Sequence, residues 1–325
     1  MIPLYPLKFK PLYIEKIWGG DSLSTKLDKA IPSCKIGESW ELSGISNFQS
    51  IVDNGGLAGN TLLGIIQTYG DQVLGVKVLK KFGVDFSLLI KFIDAQDDLS
   101  VQVHPNDEQA KILQESYGKT EMWYVMDAEP GATLISGFNI KLSVNEYQKL
   151  VARGELLSVL QHHEVKRGDV FFIPAGLIHA IGRGILLAEI QQSSDITYRV
   201  YDYNRIDVNG TPRELHAELA LQVINFDIEG DKVMYDASQI NQPVPLVSCE
   251  YFTTNLLRLT KRTNRDYRTF DSFIIYICTH GSGSIVYGEE RKINIFKGET
   301  LLIPASIKDI YIEPNFNIEL LEVYI

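Results

Sequence analysis

Residues 168–199 constrain the fold more than any other part of this chain. They read GDVFFIPAGLIHAIGRGILLAEIQQSSDITYR. An apolar run over residues 170–173 is stopped by Pro174-Ala175-Gly176, and a second apolar run follows over residues 185–190. Proline presets φ and glycine permits φ above zero, so the sequence predicts two buried strands joined by a tight turn. His179 lies just past that turn. The pattern fits the metal-binding half of a small β-barrel with His179 in its interior. The competing reading is a structural hairpin with an incidental histidine.

The upstream sequence supplies partners. LSVQVH, residues 99–104, alternates, so Gln102 and His104 point to one face of a strand. Pro105 ends that strand, and Asn106 can cap a helix running to about Tyr117. In GKTEMWYVM, residues 118–126, Lys119, Glu121 and Trp123 share one parity. His104, Glu121 and His179, with Gln102 beside them, offer two imidazoles, a carboxylate and an amide oxygen. That set suits a divalent first-row metal, zinc being the common case, with positions left open for water or substrate. Taken singly, each has an ordinary alternative: a packed histidine, a solvated glutamate, a core amide. Gln102 is the least specific of the four.

Cations accompany the set. Arg199 lies in DITYRV, where a strand-interior arginine needs an anion: Asp195, Asp202 or a bound substrate. Lys91 is embedded in FSLLIKFIDA, where it either snorkels at an edge or reaches a binding cavity. Arg205 is a further candidate. Helices are expected over residues 60–81 (in two pieces broken near Gly70, capped by Asn60), 143–153 and 212–224. Residues 229–245 read as a linker or wrapping arm.

The last 80 or so residues read as short strands and turns and contain a repeat. GETLLIPASIKD, residues 298–309, aligns with GDVFFIPAGLIH, residues 168–179. Ser306 replaces the turn glycine and Asp309 replaces the histidine. Two copies of one barrel, with metal chemistry kept only in the first, is the economical reading. His280 in the second copy reads as structural or solvated.

Bulk composition excludes several classes. The net charge of −10 argues against a nucleic-acid backbone as partner, and three widely spaced cysteines suggest neither a disulfide framework nor a cysteine zinc site. The opening residues are interrupted by three prolines and by lysines, and no apolar run approaches the ~18 residues of a membrane span. A cytoplasmic protein with reduced thiols is expected.

SVQVHPND, GKTEMWYV, IPAGLIHAIG and AEIQQSSDITYRVYDY, preceded by GESWELSG and LLIKFIDA, resemble the type I mannose-6-phosphate isomerases of the short bacterial kind. The resemblance covers nearly the whole chain. It implies a mainly β bicupin, two jelly-roll barrels with a few helices on the N-terminal half: a catalytic unit over residues 1–235 and a metal-free cupin-like barrel over 236–325. It implies a zinc-dependent aldose–ketose isomerase that interconverts mannose 6-phosphate and fructose 6-phosphate through a cis-enediol, with one Zn²⁺ per chain. By resemblance Gln102, His104, Glu121 and His179 are the zinc ligands, Arg199 is the active-site arginine, and Lys119 and Ser100 lie at the sugar-phosphate pocket, where Lys91 is a further candidate. The expected partner is a small hexose phosphate, with no nucleic acid or membrane, and the expected state is a monomer or weak homodimer. The alternatives are a non-haem iron cupin oxygenase, which also uses two histidines and a carboxylate, and a non-catalytic sugar-phosphate-binding bicupin.

Overall fold

The computed structural model describes residues 2–114, 116–206 and 210–325. Its first half is built on two antiparallel sheets. One has six strands in the order Val170–Ile173, Glu121–Ala128, Ile185–Gln192, Leu88–Ala95, Ile36–Ser43 and Leu12–Gly20. The other has five, in the order Tyr198–Tyr201, Val101–Val103, His179–Ile181, Thr133–Phe138 and Leu160–Glu164. Trp123, Val125 and Leu187 from the first sheet share one buried cluster with Leu134 and Ile181 from the second.

The six-stranded sheet is covered on both faces, which explains the unbroken apolar character of its central strands. Leu88–Ala95 and Ile185–Gln192 are buried at every residue. Along the first of these, Ile90 and Phe92 face away from the first-half interior and join a second cluster. That cluster also takes Leu62, Ile66 and Val73 from the helical segment, and Ile275, Leu302, Leu321 and Val323 from the second half. Backbone hydrogen bonds tie the halves as well, with Leu7 and Leu302 exchanging N–H to O bonds of 2.8 and 2.9 Å.

The second half is a single hydrogen-bonded sheet organised by two long strands, Ile274–Tyr287 and Asp309–Tyr324. Their pairing shifts register between Cys278 and His280 and again between Gly281 and Gly283, which bends the pair so that it serves both ends of the sheet. The repeat seen in the sequence is present in the backbone. Val170–Ile173 and Thr300–Ile303 are equivalent strands, entered through Gly168 at φ 89° and Gly298 at φ 85°, a conformation that favours glycine. Residues 230–245 dock as an arm: Lys232 bridges to Phe171 and pairs with Asp169, and the Tyr235 hydroxyl donates to the Gly168 carbonyl.

Several local expectations are corrected. The segment at 60–81 forms three pieces, Leu62–Tyr69, Asp71–Leu74 and Val76–Phe82, because Gly75 also breaks it. Gly75, at φ 91°, is packed so closely on Asp271 that a side chain would meet its carbonyl oxygen at 2.4 Å. The cap is Thr61, whose hydroxyl accepts from Gly64 N, and not Asn60. Asn106 does cap its helix, in a reciprocal pair with Gln109. That helix ends at Gln114, short of Tyr117, and the expected stretch includes residue 115, which lies outside the described residues. The helix expected at 212–224 begins only at Ala217. The helix expected over 143–153 forms as Val144–Arg153, capped by Ser143 in a capping box with Glu146.

Inside the second half, Glu322 is fully buried and accepts from Arg265 Nε at 2.9 Å and Nη2 at 2.8 Å, from Asn255, and from the hydroxyls of Tyr267 and Tyr276. Removing one member of a buried ion pair strands the other. Arg265→Leu is therefore expected to lower unfolding stability by ~3–5 kcal/mol in urea titrations, with part of the loss recovered in the Arg265→Leu/Glu322→Leu double variant.

Candidate metal centre and cavity

Three strands deliver the central side chains. His179 opens one strand directly after the Pro174–Gly176 turn, and its backbone pairs with Gln102 on Val101–Val103. Glu121 opens the Glu121–Ala128 strand, and His104 immediately follows Val103. His104 Nε2 lies 3.2 Å from His179 Nε2 and 3.3 Å from Glu121 Oε1, and His179 Nε2 lies 3.2 Å from the same oxygen. All three side chains are at most 1% exposed. Gln102 Nε2 is 3.3 Å from His179 Nε2. The amide's two ends are interchangeable by a rotation, so its oxygen can take that place.

These atoms fit a metal ion. The His179 Nδ1–H donates to the Leu177 carbonyl at 2.8 Å, which fixes the tautomer and leaves the Nε2 lone pair facing inward. Both Glu121 carboxylate oxygens are buried without a hydrogen-bond partner among the described residues. A triangle of lone-pair atoms with edges of 3.2–3.3 Å is close to one face of a tetrahedron around an ion with bonds of ~2.0–2.1 Å. Burial and the nearby Lys119 charge push the His104 imidazole down to about 3, so it stays a neutral ligand. Burial alone would raise Glu121, but Lys119 and His104 outweigh it and hold the carboxyl well below its usual range. No other cluster of three or more such ligand side chains exists among the described residues.

The sheets open onto a cavity of about 310 Å³ lined by Lys91, Ser100, Gln102, Lys119, Glu189 and Arg199, with Trp40, Arg213 and others completing the wall. Lys119 Nζ sits 3.2 Å from His104 Nε2 and 3.6 Å from Glu121 Oε2, at the metal end. Ser100 lies two residues beyond Gln102 on the side away from His104, roughly 7 Å along an extended strand. Lys91 is buried and pairs with Glu189 at 3.1 Å and Glu38 at 3.8 Å. Arg199 is the cross-strand neighbour of Gln102. Its guanidinium donates to the Glu214 carbonyl at 2.8 Å, while its Nε is buried without a hydrogen-bond partner among the described residues. Asp202, one of the two acids expected to pair with it, is taken up by Arg205 and Arg213.

The family-level comparisons agree with this geometry. Residues 7–135 match the family model "Phosphomannose isomerase type I, catalytic domain", and residues 244–325 match "Mannose-6-phosphate isomerase, cupin domain". The mannose-6-phosphate isomerase ManA of Bacillus subtilis is 36% identical over 95% of this chain and 96% of its own length. The chain belongs to the type I phosphomannose isomerase family. A mannose-6-phosphate isomerase of Streptococcus mutans is 35% identical over 92% of this chain and 94% of its own length. The crystal structure of the mannose 6-phosphate isomerase from Bacillus subtilis superposes with a TM-score of 0.89 at 31% identity, covering 99% of this chain and 100% of that one. A phosphomannose isomerase variant from Salmonella typhimurium, 16% identical with a TM-score of 0.82, shares the fold over 99% of both chains.

Within this type I chain, strand register shows what stands in the second half at the positions of the His104–Glu121–His179 cluster, the only such cluster among the described residues. Where His179 pairs with Gln102, Asp309 pairs with Asp266. Where Ile173 pairs with Glu121, Ile303 pairs with Ile274. Two residues past Asp266 stands Arg268, at the place of His104, and its guanidinium donates to Asp266. A guanidinium–carboxylate pair and an isoleucine thus stand where the first half has Gln102, His104 and Glu121.

The cavity also contains residues that periodicity missed. Trp40 and Glu38 pair with Lys91 and Ile93, which line the same cavity, and a register shift between Trp40 and Leu42 sends Leu42 to the opposite face. Trp40 Nε1 donates to Glu38 at 2.6 Å, and Trp123 Nε1 donates to Glu189 at 3.0 Å. Burial and the Glu121 charge push Glu189 above the usual carboxylate range against the pull of Lys91.

Two measurements follow. Metal analysis after dialysis is expected to find one divalent ion per chain, lost on His104→Ala, His179→Ala or Glu121→Gln. Burial alone would raise the Glu38 carboxyl, but Lys91 and Lys16 overcome that and hold it at about 2 instead of 4.5. Its folded form therefore binds protons less readily than its unfolded form, and it stabilises the fold above about 4.5, a contribution lost as pH falls toward 2. Glu38→Gln is expected to flatten that part of the pH dependence of unfolding.

Proposed function

We propose that this chain interconverts D-mannose 6-phosphate and D-fructose 6-phosphate through a cis-enediol, using one zinc ion per chain. The observation that carries the reading is the buried His104–Glu121–His179 triangle opening onto a cavity rich in lysine and arginine. The names and lengths of the relatives support the same substrate. Zinc is preferred because the site offers nitrogen and oxygen donors in a near-tetrahedral arrangement, without thiolate. Residues 1–235 are assigned the chemistry and residues 236–325 the metal-free barrel. We place the enzyme in the cytoplasm as a monomer or weak homodimer. No helix among the described residues is long and apolar enough to cross a membrane.

In this reading Gln102, His104, Glu121 and His179 hold the ion, whose Lewis acidity lowers the cost of removing a proton beside the sugar carbonyl. Arg199, which lines the cavity, stabilises the negative charge that develops on the enediolate. Glu189 lines the cavity, and its raised proton affinity suits a group that takes a proton at one carbon and returns it at the next. Ser100 meets the phosphate away from the metal, within the positive field of Lys91, Lys119 and Arg213. Lys91 is already matched by two carboxylates, so it tunes the cavity more than it clamps the ligand.

The iron-oxygenase alternative uses the same triad but gives no role to the surrounding cations. A coupled assay for fructose 6-phosphate formation from mannose 6-phosphate is expected to show activity that a chelator abolishes and zinc restores, indifferent to ascorbate. Arg199→Ala is expected to lower kcat by about a hundredfold or more while changing KM far less. The reverse split would make Arg199 a ground-state phosphate clamp.

A further inference from the structure

Lys119 touches the metal ligands, yet no regular element carries it. Residues 117–120 belong to neither helix nor strand, and the strand begins only at Glu121. Their backbone is held by other means. Lys119 N donates to the Pro105 carbonyl at 3.0 Å. The peptides on either side are held by side chains: Gly118 N donates to Asp107 Oδ1 at 2.8 Å, and Thr120 N donates to Gln192 Oε1 at 2.8 Å. Gln192 Nε2 in turn donates to the same Asp107 oxygen at 2.9 Å. Gly118 is packed so closely on the start of the helix that a side chain would meet Asn106 and Asp107 backbone atoms at 2.6 Å.

The remaining Asp107 oxygen, Oδ2, accepts from the Tyr251 hydroxyl at 3.0 Å. Tyr251 belongs to the second half, in the turn between Pro243–Ser248 and Thr253–Leu259. One carboxylate therefore joins the second half to both peptides flanking Lys119. Thr120 extends the chain of contacts, because its Oγ1 accepts from Ala175 N in the turn that precedes His179. The same residues, Asp107, Gln192 and Tyr251, form part of the wall of a separate outer cavity of about 890 Å³, so the relay runs along the boundary between the halves.

We infer that Tyr251, Asp107 and Gln192 are positioning residues, through which the metal-free half sets the place of Lys119 beside the metal centre. None of them lines the inner cavity. They act through the backbone of residues 118–120, where a small displacement of Lys119 is costly because charge at the reacting end must be placed within a fraction of an ångström. The kinetic consequence rests on the isomerase reading; the mechanical one does not.

The test uses the full chain in its metal-loaded form. Tyr251→Phe deletes one hydroxyl and keeps the ring. It is expected to lower kcat about three- to tenfold with KM within about twofold of the parent and one metal per chain retained. Asp107→Ala, which removes three contacts, is expected to lose about tenfold more than Tyr251→Phe, and Asp107→Asn, which keeps an acceptor for Gly118 N, to regain part of it. Amide hydrogen exchange is the activity-free arm: the peptide spanning 116–121 is expected to exchange about tenfold faster in Tyr251→Phe, with the remaining strands unchanged. Unchanged exchange in that peptide, exchange raised uniformly along the chain, or faster exchange without any change in kcat would each overturn the inference. A parent protein without isomerase activity would defeat the functional reading instead, and the exchange arm would still decide whether the relay holds the segment.

Discussion

Two imidazole nitrogens and a carboxylate oxygen lie within about 3.3 Å of one another, out of contact with bulk water, an arrangement that is costly to bury unless a proton or a cation is shared among them. The rest of the architecture answers that constraint. Strand pairing fixes the backbones, the Leu177 carbonyl fixes the His179 tautomer, and Lys119 supplies positive charge at the rim. The sheet behind Glu121 is packed on both faces, so its carboxylate has little freedom to relax outward. Rigidity of this kind is what preorganised electrostatics requires.

A second layer of charge surrounds the first. Lys91, Glu189, Glu38 and Lys16 form a chain of buried or half-buried ion pairs, with Trp40 and Trp123 donating to its two carboxylates. Opposite charges in such a chain fix one another's ionisation. Lys91 is pushed above its ordinary range by Glu189 and Glu38 despite its burial, while Glu189 is pushed up by burial and by Glu121. The outcome is a cavity in which Glu38 and Glu189, both paired with Lys91, are driven in opposite directions, Glu38 down and Glu189 up.

Much of the site was legible from spacing, because the residues concerned obey strand parity. Gln102 and His104 share a face, Glu121 begins a strand, and Pro174–Gly176 forces the turn that delivers His179. Other parts were hidden for definable reasons. Trp40 and Glu38 share a face by alternation, but only their pairing with Lys91 and Ile93 turns that face to the cavity, and the shift that removes Leu42 from it is invisible in the pattern. Arg213 comes from outside any strand or helix. Lys119 was grouped with a strand by parity, whereas the Pro105 carbonyl holds its own N–H and the Asp107 and Gln192 side chains hold the peptides on either side. The break at Gly75 depends on Asp271, nearly two hundred residues away. In the second half the repeat was readable as a motif, but the replacement of His104 by Arg268 emerges only once the strands are paired.

The apolar layer joining Ile90, Phe92 and Ile190 to Ile275, Leu321 and Val323 has a bearing on how the chain is made. A ribosome releases the portion with the ligands first, while the partner for that oily surface is still being synthesised. Until the Asp309–Tyr324 strand arrives, the nascent polypeptide carries an uncovered hydrophobic wall, and a product truncated before that strand would be sticky, with His104, Glu121 and His179 intact but no cover for their scaffold. Fusion or domain-shuffling schemes that treat the ligand-bearing portion as a detachable cassette meet the same obstacle.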